Sequence, residues 1–332
     1  MPLINSSFAP GQAQATVDAF QDPDQRQIAQ AELYYFSGRA QECRNIVELY
    51  LQDKDLCLRL SAGLLYSFSN LTLGNPSASR MGFRNIQECL RLAEENSASE
   101  EVIASCVFAG YLATVLMHLP ADGLPPLKDF LPYLPAGIRA YAIYILAHNA
   151  YLNEEYERAL GLCQSVFLML DGCYPIAMEY LYCVIIMCLN NQKKHEKARE
   201  ILMKAWNMAK PDGFLEPFIE HHGLMLGQIE ACIKPTEPEN YKRLSQAVIA
   251  FSRGWMDIHN PQLQSSVTDK LTPMEFSIAM LASKGWTNQE IADHLSMSVN
   301  TIKHYLSRIF QILGVEKREE LKPFVNLSLI HI

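Results

Sequence analysis

The residues best placed to do chemistry lie on one face of a single predicted helix. Between Val299 and Leu313, one side carries Asn300, Thr301, Lys303, His304, Ser307, Arg308 and Gln311. These are amide, hydroxyl, imidazole and cationic groups, with no Asp or Glu among them. Such a surface donates hydrogen bonds to anions and to carbonyl and ring-nitrogen acceptors, which suits phosphates and base edges. The other side, Ile302, Tyr305, Leu306, Ile309, Phe310 and Leu313, keeps three- and four-residue spacing and forms one buried stripe.

The elements that must hold this face are legible from caps. Thr272 and Thr287 each precede a glutamate by three residues, Glu275 and Glu290, the pattern of a capping box. Pro273 stands at the first helical position, where a missing N–H is harmless. Gly285 and Gly314 follow apolar runs, where a left-handed residue ends a helix. Ser298 caps the third helix. A helix over 288–295, the short connection His294-Leu295-Ser296-Met297-Ser298, and a helix over 299–313 describe a helix-turn-helix for the major groove.

The stretch Leu271 to Val315 resembles the DNA-binding domain of LuxR/FixJ-type bacterial transcription regulators. The matching residues are Leu271-Thr272-Pro273, Glu275, Gly285, Thr287-Asn288-Gln289-Glu290-Ile291-Ala292, Leu295, Ser298, Asn300-Thr301-Ile302-Lys303, Leu306, Ile309-Phe310 and Leu313-Gly314-Val315. Ordered matches at so many fixed offsets are far more specific than a short motif. Met274 and Phe276 stand where members of the family carry arginines, so phosphate contacts are not expected there. Lys303, His304 and Ser307 are expected at base edges, lysine and a donor suiting guanine O6 and N7. Asn300, Thr301, Arg308, Thr287 and Asn288 are expected at phosphates, the last two partly through helix N-terminal amides. Ser298 is placed in the same DNA-contacting set. In the family a last helix packs domain against domain, and Leu321 and Val325 are spaced for that dimer contact.

Upstream, about 25–259 reads as helical throughout, with Ala, Leu, Glu, Tyr and Cys at helical spacing and no strand-like alternation. A weak repeat shows through. Tyr34-Tyr35-Phe36-Ser37-Gly38 is echoed by Leu71-Thr72-Leu73-Gly74. Glu155-Tyr156-Glu157-Arg158-Ala159 is echoed by His195-Glu196-Lys197-Ala198-Arg199. Recurrence at 34 to 40 residues, with small residues Cys43, Ala159 and Ala198 where two helices cross, resembles tetratricopeptide repeats. The region also resembles that of the maltose-regulator-like members of the LuxR/FixJ family. It lacks the Gly-x-x-x-x-Gly-Lys-Ser/Thr loop of their ATPase module. Leu119 to Gly137, with five prolines, interrupts the series. Such arrays form a curved solenoid whose concave side takes a partner.

The 332 residues divide on this reading into a partly ordered segment 1–24, a repeat domain 25–259, a polar linker 260–270 and the DNA-binding domain 271–332. The fold class is all-α: a tetratricopeptide-like solenoid followed by a four-helix helix-turn-helix domain. The net charge of −8 lies in the first part, because residues 269–332 hold seven cationic and seven acidic side chains. A single copy should therefore bind DNA weakly, with strong salt dependence, and rely on a homodimer.

Nine scattered cysteines without a Cys-x-x-Cys pair suit reduced, buried thiols. The start lacks a signal-peptide pattern, and no apolar run of 18 residues exists, so a cytoplasmic protein without a membrane span is expected. Adjacent His221 and His222 point apart on a helix and do not make a metal site. The run Lys193-Lys194-His195-Glu196-Lys197 reads as a solvated turn between repeat helices. No catalytic constellation stands out, so no enzyme, cofactor or metal is expected. The expectation is a transcription regulator on double-stranded DNA, its repeats open to a peptide, protein or small-molecule signal. The rival is an interaction adaptor whose C-terminal domain serves mainly to dimerise.

Overall fold

A computed structural model describes residues 1–117, 123–259 and 271–326, apart from the side chains of 256, 258 and 259. The expected linker, 260–270, and the residues after 326 lie outside this set. Among the described residues the regular structure is entirely helical. The body comprises α1 (Ala13–Asp18), α2 (Pro23–Phe36), α3 (Ala40–Val47), α4 (Leu56–Thr72), α5 (Pro76–Glu95), α6 (Glu100–Leu116), α7 (Ala136–Leu152), α8 (Tyr156–Met169), α9 (Pro175–Asn191), α10 (His195–Ala209), α11 (Glu216–His221), α12 (Gln228–Thr236) and α13 (Pro238–His259). The C-terminal part comprises α14 (Pro273–Ser283), α15 (Asn288–Leu295), α16 (Val299–Leu313) and α17 (Lys322–Asn326). Where the fourth helix of the C-terminal domain is expected, a 3₁₀ turn, Arg318–Leu321, leads into the short α17.

Antiparallel hairpins α2/α3, α4/α5, α7/α8 and α9/α10 form the array. Each is closed by the same turn. A left-handed residue, Gly38 (φ 73°), Gly74 (φ 66°), Glu154 (φ 61°) or Lys193 (φ 59°), follows the first helix. Two amides then reach back, as in Gly38 N to Tyr35 O at 2.9 Å and Arg39 N to Tyr34 O at 2.8 Å. Lys193 N to Asn190 O (3.0 Å) and Lys194 N to Leu189 O (2.8 Å) repeat the pattern. This double bond satisfies carbonyls that a helix end would otherwise orphan. Five residues past each left-handed residue comes a fully buried small one: Cys43, Ser79, Ala159 and Ala198. Small side chains there let the paired helices approach. Between α6 and α7, the described part of the proline-rich segment, from residue 123, forms two 3₁₀ turns, Leu127–Asp129 and Leu131–Tyr133, its prolines lacking the N–H a helix requires.

The first helices of these hairpins are covered in part by later segments of the chain. α11 packs on α2 and α9, and α13 packs on α4. Gly254 of α13 crosses Leu71 so closely that a Cβ would stand 1.9 Å from the Leu71 carbonyl oxygen. Phe36, Tyr141, Tyr144 and Tyr180 meet in the core, with ring centroids of Tyr144 and Tyr180 4.9 Å apart. Edge-to-face contacts of this kind add roughly 0.5–1.5 kcal/mol beyond burial. Part of the face that a solenoid would leave open is thus occupied by α11 and α13.

The first 24 residues are also packed, in place of the partly ordered start expected from their composition. Leu3 and Ile4 are fully buried. The Leu3 amide donates to Glu32 Oε2 (2.7 Å), and Phe8 N donates to Cys173 O (2.8 Å). Asp212 accepts from the amides of Gly11 (2.7 Å) and Ala13 (2.8 Å).

Candidate nucleic-acid interface

The C-terminal helices are set by their caps. The Thr272 amide donates to Glu275 Oε2 (2.8 Å) while Thr272 Oγ1 accepts from Glu275 N (3.3 Å). Thr287 and Glu290 repeat the exchange at 2.7 and 3.2 Å. Ser298 Oγ accepts from Thr301 N at 3.0 Å. Such caps contribute about 1 kcal/mol each. Gly285 (φ 81°) and Gly314 (φ 68°) end α14 and α16 in the left-handed region, and Ser296 (φ 55°) does so for α15. Ile302, Leu306, Ile309 and Leu313 of α16 are buried against Ile278, Ile291, Leu295 and Trp286.

This core turns the predicted face outward. Asn300, Thr301, Lys303, His304, Ser307, Arg308 and Gln311 are all exposed, as is Thr287, while Asn288 is half-buried. Their freedom differs. Thr287 Oγ1 is engaged by the cap, and Thr301 Oγ1 lies 2.8 Å from Ser298 Oγ. Asn288 Oδ1 accepts from Arg318, which also donates to Trp286 O. Arg308 Nε stands 3.0 Å from Glu275 Oε1, a nearly buried oxygen, so this arginine ties α16 to α14. Asn300, Lys303, His304 and Ser307 make no side-chain hydrogen bond or ion pair among the described residues. No local sequence signal places Arg318 at the amino end of α15; its position there depends on the chain doubling back after Gly314.

Leu321 and Val325, expected as dimer contacts, are fully buried in the core of the C-terminal domain. Their apolar spacing marks intradomain packing, and neither presents a surface to a second copy.

The domain is docked on the body. Leu226, with φ 54°, enters the C-terminal core and is 1% exposed. His294 Nε2 donates to Leu226 O (2.7 Å), and Arg199 Nη2 donates to His294 O (3.2 Å). Lys193 Nζ pairs with Glu290 at 2.7 Å, and Lys284 Nζ donates to Asn191 Oδ1 at 3.0 Å. The rings of His195, Trp286 and His294 pack together, His195 to His294 at 4.6 Å. The turn after α9 is therefore an interdomain contact and not merely a solvated one. Burial pushes the His294 imidazole down to about 4, helped by His195 and Arg199, against the opposing effect of the Leu226 carbonyl. Lys193, with the Thr287 cap, holds Glu290 at about 2. The recognition face of α16 remains exposed in this docked arrangement. Phe276, at a position where phosphate contacts are absent by expectation, instead faces the body beside Gly223.

His221 and His222 are both buried in the body. His221 Nδ1 donates to Pro217 O (2.7 Å) and its Nε2 lies 2.9 Å from the Tyr144 hydroxyl. His222 Nε2 pairs with Glu230 at 2.7 Å.

Two capped helices joined by the turn at Ser296, the second exposing a carboxylate-free donor face, define a helix-turn-helix domain. Residues 269–324 match the family described as Bacterial regulatory proteins, luxR family, and this part of the chain is a domain of that kind. Longer similarity exists to curated relatives. The HTH-type transcriptional regulator MalT of Serratia proteamaculans (strain 568) is 26% identical over 155 residues, covering 40% of this chain and 17% of that protein. The regulator of the same name from Klebsiella pneumoniae (strain 342) is 24% identical over 143 residues, covering 38% and 16%. The matched lengths exceed the helix-turn-helix domain, so they extend into the helical body, yet they span only about a sixth of these relatives. No solved structure matches the chain significantly.

Proposed function

We propose that the protein is a regulator of transcription that reads double-stranded DNA with α16, the helical body serving for sensing and assembly. One observation carries the reading. Asn300, Lys303, His304 and Ser307 project from a capped, core-anchored helix and have no intramolecular partner among the described residues. Lys303, His304 and Ser307 take base edges. Asn300, Thr301, Arg308, Thr287 and Asn288 take phosphates, the last two partly through the amides opening α15, with Ser298 at the start of α16 in the same set. The printed names of the relatives, transcriptional regulators, support the same reading. A neutral domain on an acidic body makes one copy a weak binder, so two copies act together on DNA. The site of action is the bacterial cytoplasm; no described helix is long and apolar enough to cross a membrane.

Selection of genomic fragments by the intact chain, followed by mobility shifts at several salt concentrations, tests this. Wild type is expected to select a defined sequence. Lys303→Ala with His304→Ala should lose about 10-fold or more in specific affinity, since each good base contact is worth about 1–3 kcal/mol. Failure of wild type to enrich any sequence at low salt would remove the reading. Undiminished binding by the double variant would move the reading face elsewhere.

A further inference from the structure

Between the body and the C-terminal domain lies a cavity of about 110 Å³. One wall belongs to the body: Ile219 and Glu220 of α11, and Val248 and Phe251 of α13. The other belongs to the reader: Phe276 and Met280 of α14, with Leu271 and Pro273 before and at its start. No lysine or arginine lines it. His148, His221 and His222 also line it; His221 Nδ1 donates to Pro217 O and His222 is paired with Glu230, which leaves Glu220 as the acidic group of the lining.

The polar handle is Glu220. Its Oε1 accepts from the Tyr35 hydroxyl and the Tyr180 hydroxyl also acts on the carboxyl, while Oε2 is buried without a hydrogen bond of good geometry. One turn earlier on α11, Glu216 is 2% exposed and its Oε1 is likewise unmatched. The groups acting on the Glu220 carboxyl are Tyr35, Tyr180 and Glu216, all of them neutral or acidic. Burial pushes Glu220 up to about 7, as a carboxyl lacking a counter-charge requires. Buried polar atoms without partners are uncommon in folded proteins, and the unmatched carboxyl oxygen of Glu220 in the cavity wall calls for a donor. The rings of Phe251, Trp255 and Phe276 on the cavity wall offer faces that a cation favours.

We propose that this cavity binds a small, mainly apolar molecule bearing a cationic amine, with the amine against Glu220, and that its binding holds the C-terminal domain on the body. The volume sets the size. A dry cavity of about 150 Å³ holds benzene, so this one holds an amine of four or five carbons. Because both domains build the walls, a ligand that fits only the docked arrangement stabilises it by mass action. The consequence for transcription rests on the DNA-binding reading; the binding itself does not.

The test uses the intact chain without DNA and three probes of matched length: n-butylamine, 1-butanol and butyrate, at equal ionic strength. Thermal midpoint and tryptophan emission are read at each concentration. Butylamine at concentrations on the order of 10 mM should raise the midpoint by about 2 °C, with 1-butanol giving less and butyrate nothing. Glu220→Gln should abolish the preference of amine over alcohol, and Ser252→Phe, which plugs the cavity wall, should abolish both responses. Equal responses to the three probes, no response to any, or an amine preference retained in Glu220→Gln would each overturn the assignment. Should Glu220→Gln fail to fold, Ser252→Phe decides, since an undiminished response there places the amine elsewhere. Loss of DNA binding would leave these readouts unchanged, so the two proposals fail separately.

Discussion

Acidification should loosen the C-terminal domain from the body through one residue, His294. Its ring is 2% exposed, Nε2 donates to Leu226 O at 2.7 Å, and Nδ1 is buried without a partner. A proton on Nδ1 would enter a site faced by His195 and Arg199, with Glu230 as the opposing charge. The imidazole is accordingly held at about 4 in the docked protein, against 6.5 when exposed. A depressed value means that the stabilisation is complete above pH 6.5 and is lost as pH falls toward 4. At pH 5, a pH unit and a half below the ordinary imidazole value, the loss is about 2 kcal/mol. His294→Gln keeps an N–H donor and does not titrate. Denaturant unfolding of the intact chain, followed through Trp286 in the ring cluster, measures the effect at pH 7.5 and pH 5. Wild type should lose about 2 kcal/mol more than His294→Gln over that interval. An NMR titration of the His294 ring gives its pKa directly. Parallel pH profiles for the two proteins, or a ring that titrates near 6.5, would refute the argument.

Two further outcomes follow from packing in the body. Gly254→Ala should destabilise the body by about 3 kcal/mol or more in urea unfolding, because its Cβ would stand 1.9 Å from the Leu71 carbonyl and one of the two helices must move. A change under 1 kcal/mol would show that α13 does not cross α4 at this residue. Glu32 is fully buried and burial pushes its carboxyl up to about 7, so the stability it contributes is present below pH 4.5 and lost as pH rises through 7. Glu32→Gln should therefore gain roughly 3 kcal/mol relative to wild type between pH 4.5 and pH 8; unchanged relative midpoints would contradict this.

The helices that carry the reading face were legible because their signals are local. Thr272 with Glu275, Thr287 with Glu290, and Ser298 cap helices through partners three residues away. The stripe Ile302, Leu306, Ile309 and Leu313 states which side is buried, and the face opposite follows from helical geometry. The array was half legible for a related reason. Gly38 and Gly74 announce a left-handed turn, whereas Glu154 and Lys193 occupy the same conformation with ordinary side chains. Once the hydrogen-bonded turn and the buried small residue five positions later fix the backbone, glycine is no longer required.

What the sequence alone determined was the helical class, the caps, and a donor face on one of the helices it defines. Tertiary structure decided what covers the other faces. Leu321 and Val325 have the spacing of a dimer seam, yet the chain folds back to bury both inside their own domain. The fold also sets Arg308 Nε beside Glu275 and brings Arg318 to the amino end of α15. Leu226, Arg199 and Lys193 lie 68, 95 and 97 positions from the residues they meet across the domain boundary. Contacts at such separations leave no periodic trace in the sequence, because each requires only one complementary group brought near by the fold, whereas a cap or an apolar stripe must be written in consecutive turns.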